Sequence, residues 1–209
     1  MTIDRQLVRR TVLFGTPLLY IVLGLLHPMD PVLGDDTGLF IGLHIGQLVL
    51  IAGVAWSLWL LVDGIDSRAA RVARALVLPY VILYTTLDAI AGIAMGTVVR
   101  AANALPAADQ AAAGRLIDDV RKEDVAGYVF YFGTSLVWLA AVVAVTIALR
   151  KRVPWPPLVL MGVGALVFGL AHPKPTGPIG MALFLAGVAW IELRPRPAET
   201  PPPVAVQPI

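Results

Sequence analysis

Asp88 stands in the middle of an apolar stretch, flanked by Leu87 and Ala89 and one helical turn from Tyr84 and Thr85. A carboxylate at the centre of a membrane span costs about 2.5–3.5 kcal/mol on insertion scales, and such groups ordinarily face an interior pocket or pathway. Three histidines accompany it in the chain: His27 and His172, each followed directly by a proline, and His44, with Gln47 three residues further on. Histidine titrates near neutral pH and ligates transition metals. Tyr128, Tyr131 and Ser135 recur at spacings of three and four, so they can share one helix face. These residues predict an outward-facing polar pocket in which Asp88 is the deep acceptor, His44 with Gln47 the gate or relay, and Tyr84, Tyr131, Thr134 and Ser135 the lining. The structural alternatives are an Asp88 hydrogen-bonded to Thr or Tyr on a neighbouring helix, and interfacial histidines placed ahead of helix-ending prolines.

The elements that position these groups are membrane helices. Of 209 residues, 58% are apolar and only 14% charged, with a mean hydropathy of +0.80. A water-soluble domain is nearer a quarter charged, and a disordered chain needs the opposite composition. A span needs about 20 apolar residues. Six stretches approach that length: Thr11–His27, Leu39–Val62, Ala75–Val99, Ala126–Leu149, Pro157–His172 and Ile179–Leu193. The expected fold is an all-α integral membrane bundle of about six spans, forming one domain over residues 1–194, with a Pro-rich, extended cytoplasmic tail over 195–209. The last two spans are short and joined by a Pro-rich turn, which predicts a tight hairpin.

Orientation follows from Lys and Arg, which accumulate on the cytoplasmic side. With the N-terminus inside, eleven basic residues fall on inner segments (among them Arg5, Arg9, Arg10, Arg74 and Arg194) against five outside. Both termini are therefore expected in the cytoplasm, in a multi-pass protein of the cell membrane. The charged start of the first span has the form of a secretory signal, but no small-residue cleavage site follows it, so it reads as retained. Segment 101–124 is too polar to span; Pro106 at a first turn, followed by Leu116, Ile117 and Val120 at helical spacing, predicts a short amphipathic helix on the outer surface. The basic residues sit in short clusters between apolar runs, which excludes a nucleic-acid face. With no cysteine, thiolate chemistry is excluded too.

Spans one and two resemble spans five and six. The segment from Ile45 to Trp56 matches Ile179 to Trp190 at seven of twelve positions, and Gly24-Leu25-Leu26-His27-Pro28 parallels Gly169-Leu170-Ala171-His172-Pro173. A duplication in one orientation places its symmetry axis along the membrane normal. The paired small residues Gly46, Ala52, Gly53 and Gly180, Ala186, Gly187 are expected to let backbones approach closely.

At 1.5 Å per residue, Asp88 falls about 12–16 Å below the outer end of its span, His44 about 8 Å down, and His27 and His172 near the surface. That is a descending ladder rather than a single knot of ligands. It suits entry of a proton, cation or small polar solute, with the lipid bilayer as environment and assembly into an oligomer or larger complex open. An enzyme is the less favoured reading. The inventory of three His, one Asp and one Ser nonetheless resembles that of the membrane-embedded zinc hydrolases of the ceramidase and adiponectin-receptor kind, but the spacing departs from theirs, with no His pair four apart on a late helix. The metal-binding alternative places a metal ion or a haem on His27, His44 and His172; bis-His haem ligation requires two imidazoles at similar depth, which His27 and His172 meet if spans one and five pack together. A third alternative is a non-catalytic subunit or scaffold.

Overall fold

The computed structural model describes residues 4–28, 31–122, 125–170 and 175–194. They form seven helices: α1 (Arg5–Leu26), α2 (Gly38–Leu61), α3 (Arg68–Asn103), α4 (Ala107–Lys122), α5 (Val125–Leu149), α6 (Trp155–Leu170) and α7 (Thr176–Leu193). No strand occurs among the described residues. Five of these helices, α1, α2, α3, α5 and α7, are long and apolar enough to cross a membrane, while α6, at 16 residues, is apolar but shorter. The Pro-rich tail and the turn holding His172 lie outside the described residues.

Six helices close a ring. α1 packs on α2, α2 on α3, α3 on α5, α5 on α6, α6 on α7, and α7 returns to α1. Hydrocarbon is no more repelled by lipid than by another helix, so close packing and internal polar contacts must hold such a ring together. Its centre is aromatic. Tyr20, Tyr80, Tyr84, Trp138, Phe168 and Phe184 are buried, and their ring centroids stand 5.3 to 6.3 Å apart along a chain of tilted and edge-on contacts.

The tightest seam is α6 against α7. A Cβ on Gly164 would meet the backbone of Phe184 and the Gly180 carbonyl oxygen, and a Cβ on Gly180 would meet the backbone of Phe168 and the Gly164 carbonyl oxygen. Because backbone rather than flexible side chain blocks the space, Gly180→Val is expected to lower stability by about 1–3 kcal/mol or more, while Gly162→Val, with open space around it, is near neutral. Thermal unfolding in detergent measures both, and equal midpoints would contradict the seam. The small-residue pairing holds only in part: Gly53 receives Thr16 and Gly187 receives Met161, but Ala52 and Ala186 are exposed. Advancing 100° per residue, an alanine next to an inward glycine turns off the seam.

Arginines close one end of the ring. Arg9 donates to Glu192 through Nε (3.2 Å) and Nη2 (2.5 Å) and to the Leu60 carbonyl through Nη1 (2.6 Å). Arg74 donates to the Val62 and Ile65 carbonyls, with its guanidinium over the Trp59 ring. Both satisfy carbonyls at or just beyond the C-terminus of α2, where the helix dipole favours a cation.

The opposite end carries α4. Ile117 and Ala113 of α4 pack with Leu33, Val99 and Ala102, and Pro106 accepts the Asp109 N–H at 2.8 Å, so the expected amphipathic helix is present. Leu116 and Val120, expected on the same face as Ile117, are exposed. α3 runs on to Asn103, whose side chain bonds the N–H of Gly34 (2.8 Å) and the carbonyl of Asp35 (3.0 Å).

Candidate functional site

Two helical irregularities frame the site. α3 passes through a π-helical turn over Asp88–Ala94, and α1 through another over Thr11–Gly15. Such turns concentrate at functional positions in helices. Here the turn begins at Asp88 and holds Gly92, and both face the interior. α3 also contains Pro79, which cannot donate to the preceding turn.

Gly92 exists for His44. A Cβ at position 92 would fall on the His44 ring, so the imidazole lies flat against the backbone of α3 one turn from Asp88. The ring also packs on Phe40, with centroids 4.3 Å apart in a tilted contact. His27 caps α1, and its extended backbone (φ −61°, ψ 119°) is the conformation that a following proline imposes. The two imidazoles meet: Nε2 of His27 and Nε2 of His44 are 3.3 Å apart, and both residues are 4% exposed.

The hydrogen bonds decide where the ring protons sit. Nδ1 of His27 faces the Pro28 carbonyl oxygen at 2.6 Å, and Nδ1 of His44 faces the Phe40 carbonyl oxygen at 2.8 Å. A carbonyl only accepts, so both Nδ1 atoms donate. A neutral imidazole has one N–H, so in two neutral rings both Nε2 atoms present lone pairs to the 3.3 Å gap between them. Only a cation between them, a proton or a metal ion, makes that contact favourable.

Sequence spacing predicted a ladder with His27 near the surface and His44 a turn and a half below it; the structure corrects this. α1 stops at Leu26, and the connection beyond it reaches up to Asn103 before α2 begins at Gly38. His27 is thus level with His44, and the pair is a knot. The relation of His44 to Asp88 is as the spacing had it, about one helical turn apart.

Asp88 is 2% exposed, and its Oδ2 has no hydrogen-bond partner. It lies within electrostatic reach of Tyr20, Tyr80 and Tyr84. The Tyr20 and Tyr84 hydroxyls bond to each other, while the Tyr80 hydroxyl is buried without a partner. Gln47 Oε1 and Thr134 Oγ1 are in the same condition. A buried polar atom without a partner costs about 1–3 kcal/mol, and four of them in one bundle call for a ligand, a water or a transient proton. Neighbouring threonines do not supply the contact: Thr85 and Thr86 donate to Val81 and Ile82 of their own helix.

Tyr131 and Ser135 lie elsewhere than beside the histidines. Tyr131 donates to the Leu170 carbonyl (2.5 Å) and Ser135 to Gly169 (2.7 Å), so α5 satisfies carbonyls that α6 leaves open at its C-terminus, while the Trp138 indole adds a bond to Ala165 one turn earlier (3.1 Å). With Tyr84, Leu87, Thr134 and Phe168 they line a cleft with room for about one water molecule. Tyr128, expected on the same face, is exposed and stacks on Phe132.

Among the described residues no three His, Asp or Glu side chains gather into a metal site, and His172 lies outside them. The His27–His44 pair does not fit haem as opposed axial ligands, which stand about 4 Å apart at ordinary metal–nitrogen lengths with the porphyrin between them; here the separation is 3.3 Å and Phe40 packs on both rings. The chain matches no protein family, no curated protein and no solved structure.

Proposed function

We propose that this protein passes protons between the α4 side of the membrane and a midplane acid, with His27 and His44 as the entry relay and Asp88, surrounded by Tyr20, Tyr80 and Tyr84, as the deep acceptor. The observation that carries this reading is the buried, unpartnered Oδ2 of Asp88, one turn along α3 from the glycine against which His44 lies, with Nε2 of His27 a further 3.3 Å from Nε2 of His44. Intramembrane acids of this kind mark ion and proton pathways. A proton is favoured over a larger solute because the cleft beside Tyr84 holds no more than a water. Purified protein in liposomes containing a pH-sensitive dye tests the proposal: an imposed pH gradient should collapse faster than in empty liposomes, and identical rates would refute proton passage.

The reading carries a topology of six spans, α6 included as a short one, with both termini in the cytoplasm and α4 outside. Its support is the bias of basic residues to the Arg9 end. The chain has no cysteine, so single cysteines report position without background. Asp109→Cys on α4 should react with an impermeant maleimide on intact cells, and Asp66→Cys only after lysis; the reverse pattern inverts the topology.

A further inference from the structure

We infer that His27 and His44 form a binding site for one divalent transition-metal ion of the zinc class, held between their Nε2 atoms. Three observations converge on it. First, two nitrogen ligands at zinc bond lengths of about 2.0–2.1 Å in a tetrahedral shell stand about 3.3–3.4 Å apart, and the two Nε2 atoms stand 3.3 Å apart. Second, each Nδ1 faces a backbone carbonyl oxygen, at 2.6 Å for His27 and 2.8 Å for His44, and a carbonyl can only accept a ring N–H. That is the outer-shell arrangement which orients metal-binding imidazoles and raises their basicity. Third, the rings are held before any ion arrives: Phe40 packs on both, and the missing Cβ of Gly92 leaves the space that the His44 ring occupies.

No third His, Asp or Glu joins the pair among the described residues, so the remaining positions of a four-coordinate shell are open to water. Imidazole nitrogen selects zinc, cobalt or copper over magnesium or calcium, which prefer oxygen. The site stands on the geometry of the pair alone and does not depend on proton passage through Asp88.

Purified full-length protein in detergent, stripped with chelator and titrated with Co²⁺ and Zn²⁺, tests the assignment. Expected are one ion per chain, the intense visible bands of four-coordinate Co²⁺, displacement of those bands by Zn²⁺, and indifference to Mg²⁺. X-ray absorption of the zinc-loaded wild type should count two imidazole nitrogens, a result that needs no variant to fold. His27→Ala and His44→Ala should each weaken binding by more than the ~10–100-fold that loss of an outer-shell partner costs. Asp88→Asn should bind the metal normally even though it fails in proton passage, which separates the two claims. Absence of a saturable ion in the wild type, a shell without two imidazoles, or full affinity in either histidine variant overturns the site.

Discussion

Asp88→Asn is expected to abolish the proton flux that the wild-type protein supports in liposomes while leaving the thermal midpoint unchanged or higher. The amide keeps the shape of the carboxyl but cannot take up and release a proton at any pH near neutrality, so a relay that ends on this group stops. The stability half follows from a different fact. Oδ2 of Asp88 is buried without a partner, a condition that costs about 1–3 kcal/mol, and replacement by Leu at a site packed with Leu87 and the tyrosines removes that cost. Asp88→Leu should therefore be both inactive and more stable by roughly that amount, the pattern of a residue kept for activity at the expense of the fold. A purely structural aspartate behaves in the opposite way: its loss would lower the midpoint by several degrees and spare the flux. Thermal unfolding beside a flux assay on the same preparations distinguishes the two.

How far the site could be read from the residues depended on which physical scale set each feature. The spans come from runs of about 20 apolar residues, a scale carried in the sequence itself, and α1, α2, α3, α5 and α7 lie where hydropathy puts them. The inward face of Asp88 was legible for the same reason, since a carboxylate in hydrocarbon has nowhere else to go. The meeting of His27 and His44 was not. It depends on where α1 ends and on the connection that follows it, which Asn103 ties to α3 by holding Gly34 and Asp35, a contact between residues some seventy positions apart that no local pattern encodes. The π turn at Asp88 is equally silent in sequence, because one extra residue in a turn leaves composition untouched. Ser135 and Tyr131 were legible only in part: hydroxyls on one helix face suggest a pocket lining, and they do line a cleft, but their bonds to the last carbonyls of α6 depend on a neighbouring helix that their spacing does not reveal. Arg9 and Arg74 read as topology signals, and nothing in their spacing told that they also cap α2.

The second large effect is expected at Gly92, where alanine alone should suffice. At an ordinary helical position Gly→Ala is favourable by up to ~1 kcal/mol, because alanine loses less backbone freedom, and Gly42→Ala, with nothing near its absent Cβ, should show that gain. At position 92 the same methyl lands on the His44 ring, with Nε2 only 2.7 Å away. The ring has little freedom to move, since the Phe40 ring packs against it at 4.3 Å and the Phe40 carbonyl holds Nδ1. Gly92→Ala must therefore either swing His44 out of contact with His27 or strain the π turn below it, and overpacking of this kind costs about 1–3 kcal/mol. Where the ring swings, one methyl group separates the two Nε2 atoms and removes metal binding and proton entry together; where the π turn strains instead, the loss is read in the thermal midpoint. The comparison of the two glycines is the decisive form of the experiment, because the substitutions are chemically identical and their effects on the thermal midpoint should have opposite signs. If Gly92→Ala were as stable as Gly42→Ala and bound Co²⁺ with the same spectrum, the imidazole pair would not be held by α3, and the relay from His44 toward Asp88 would lose its structural basis.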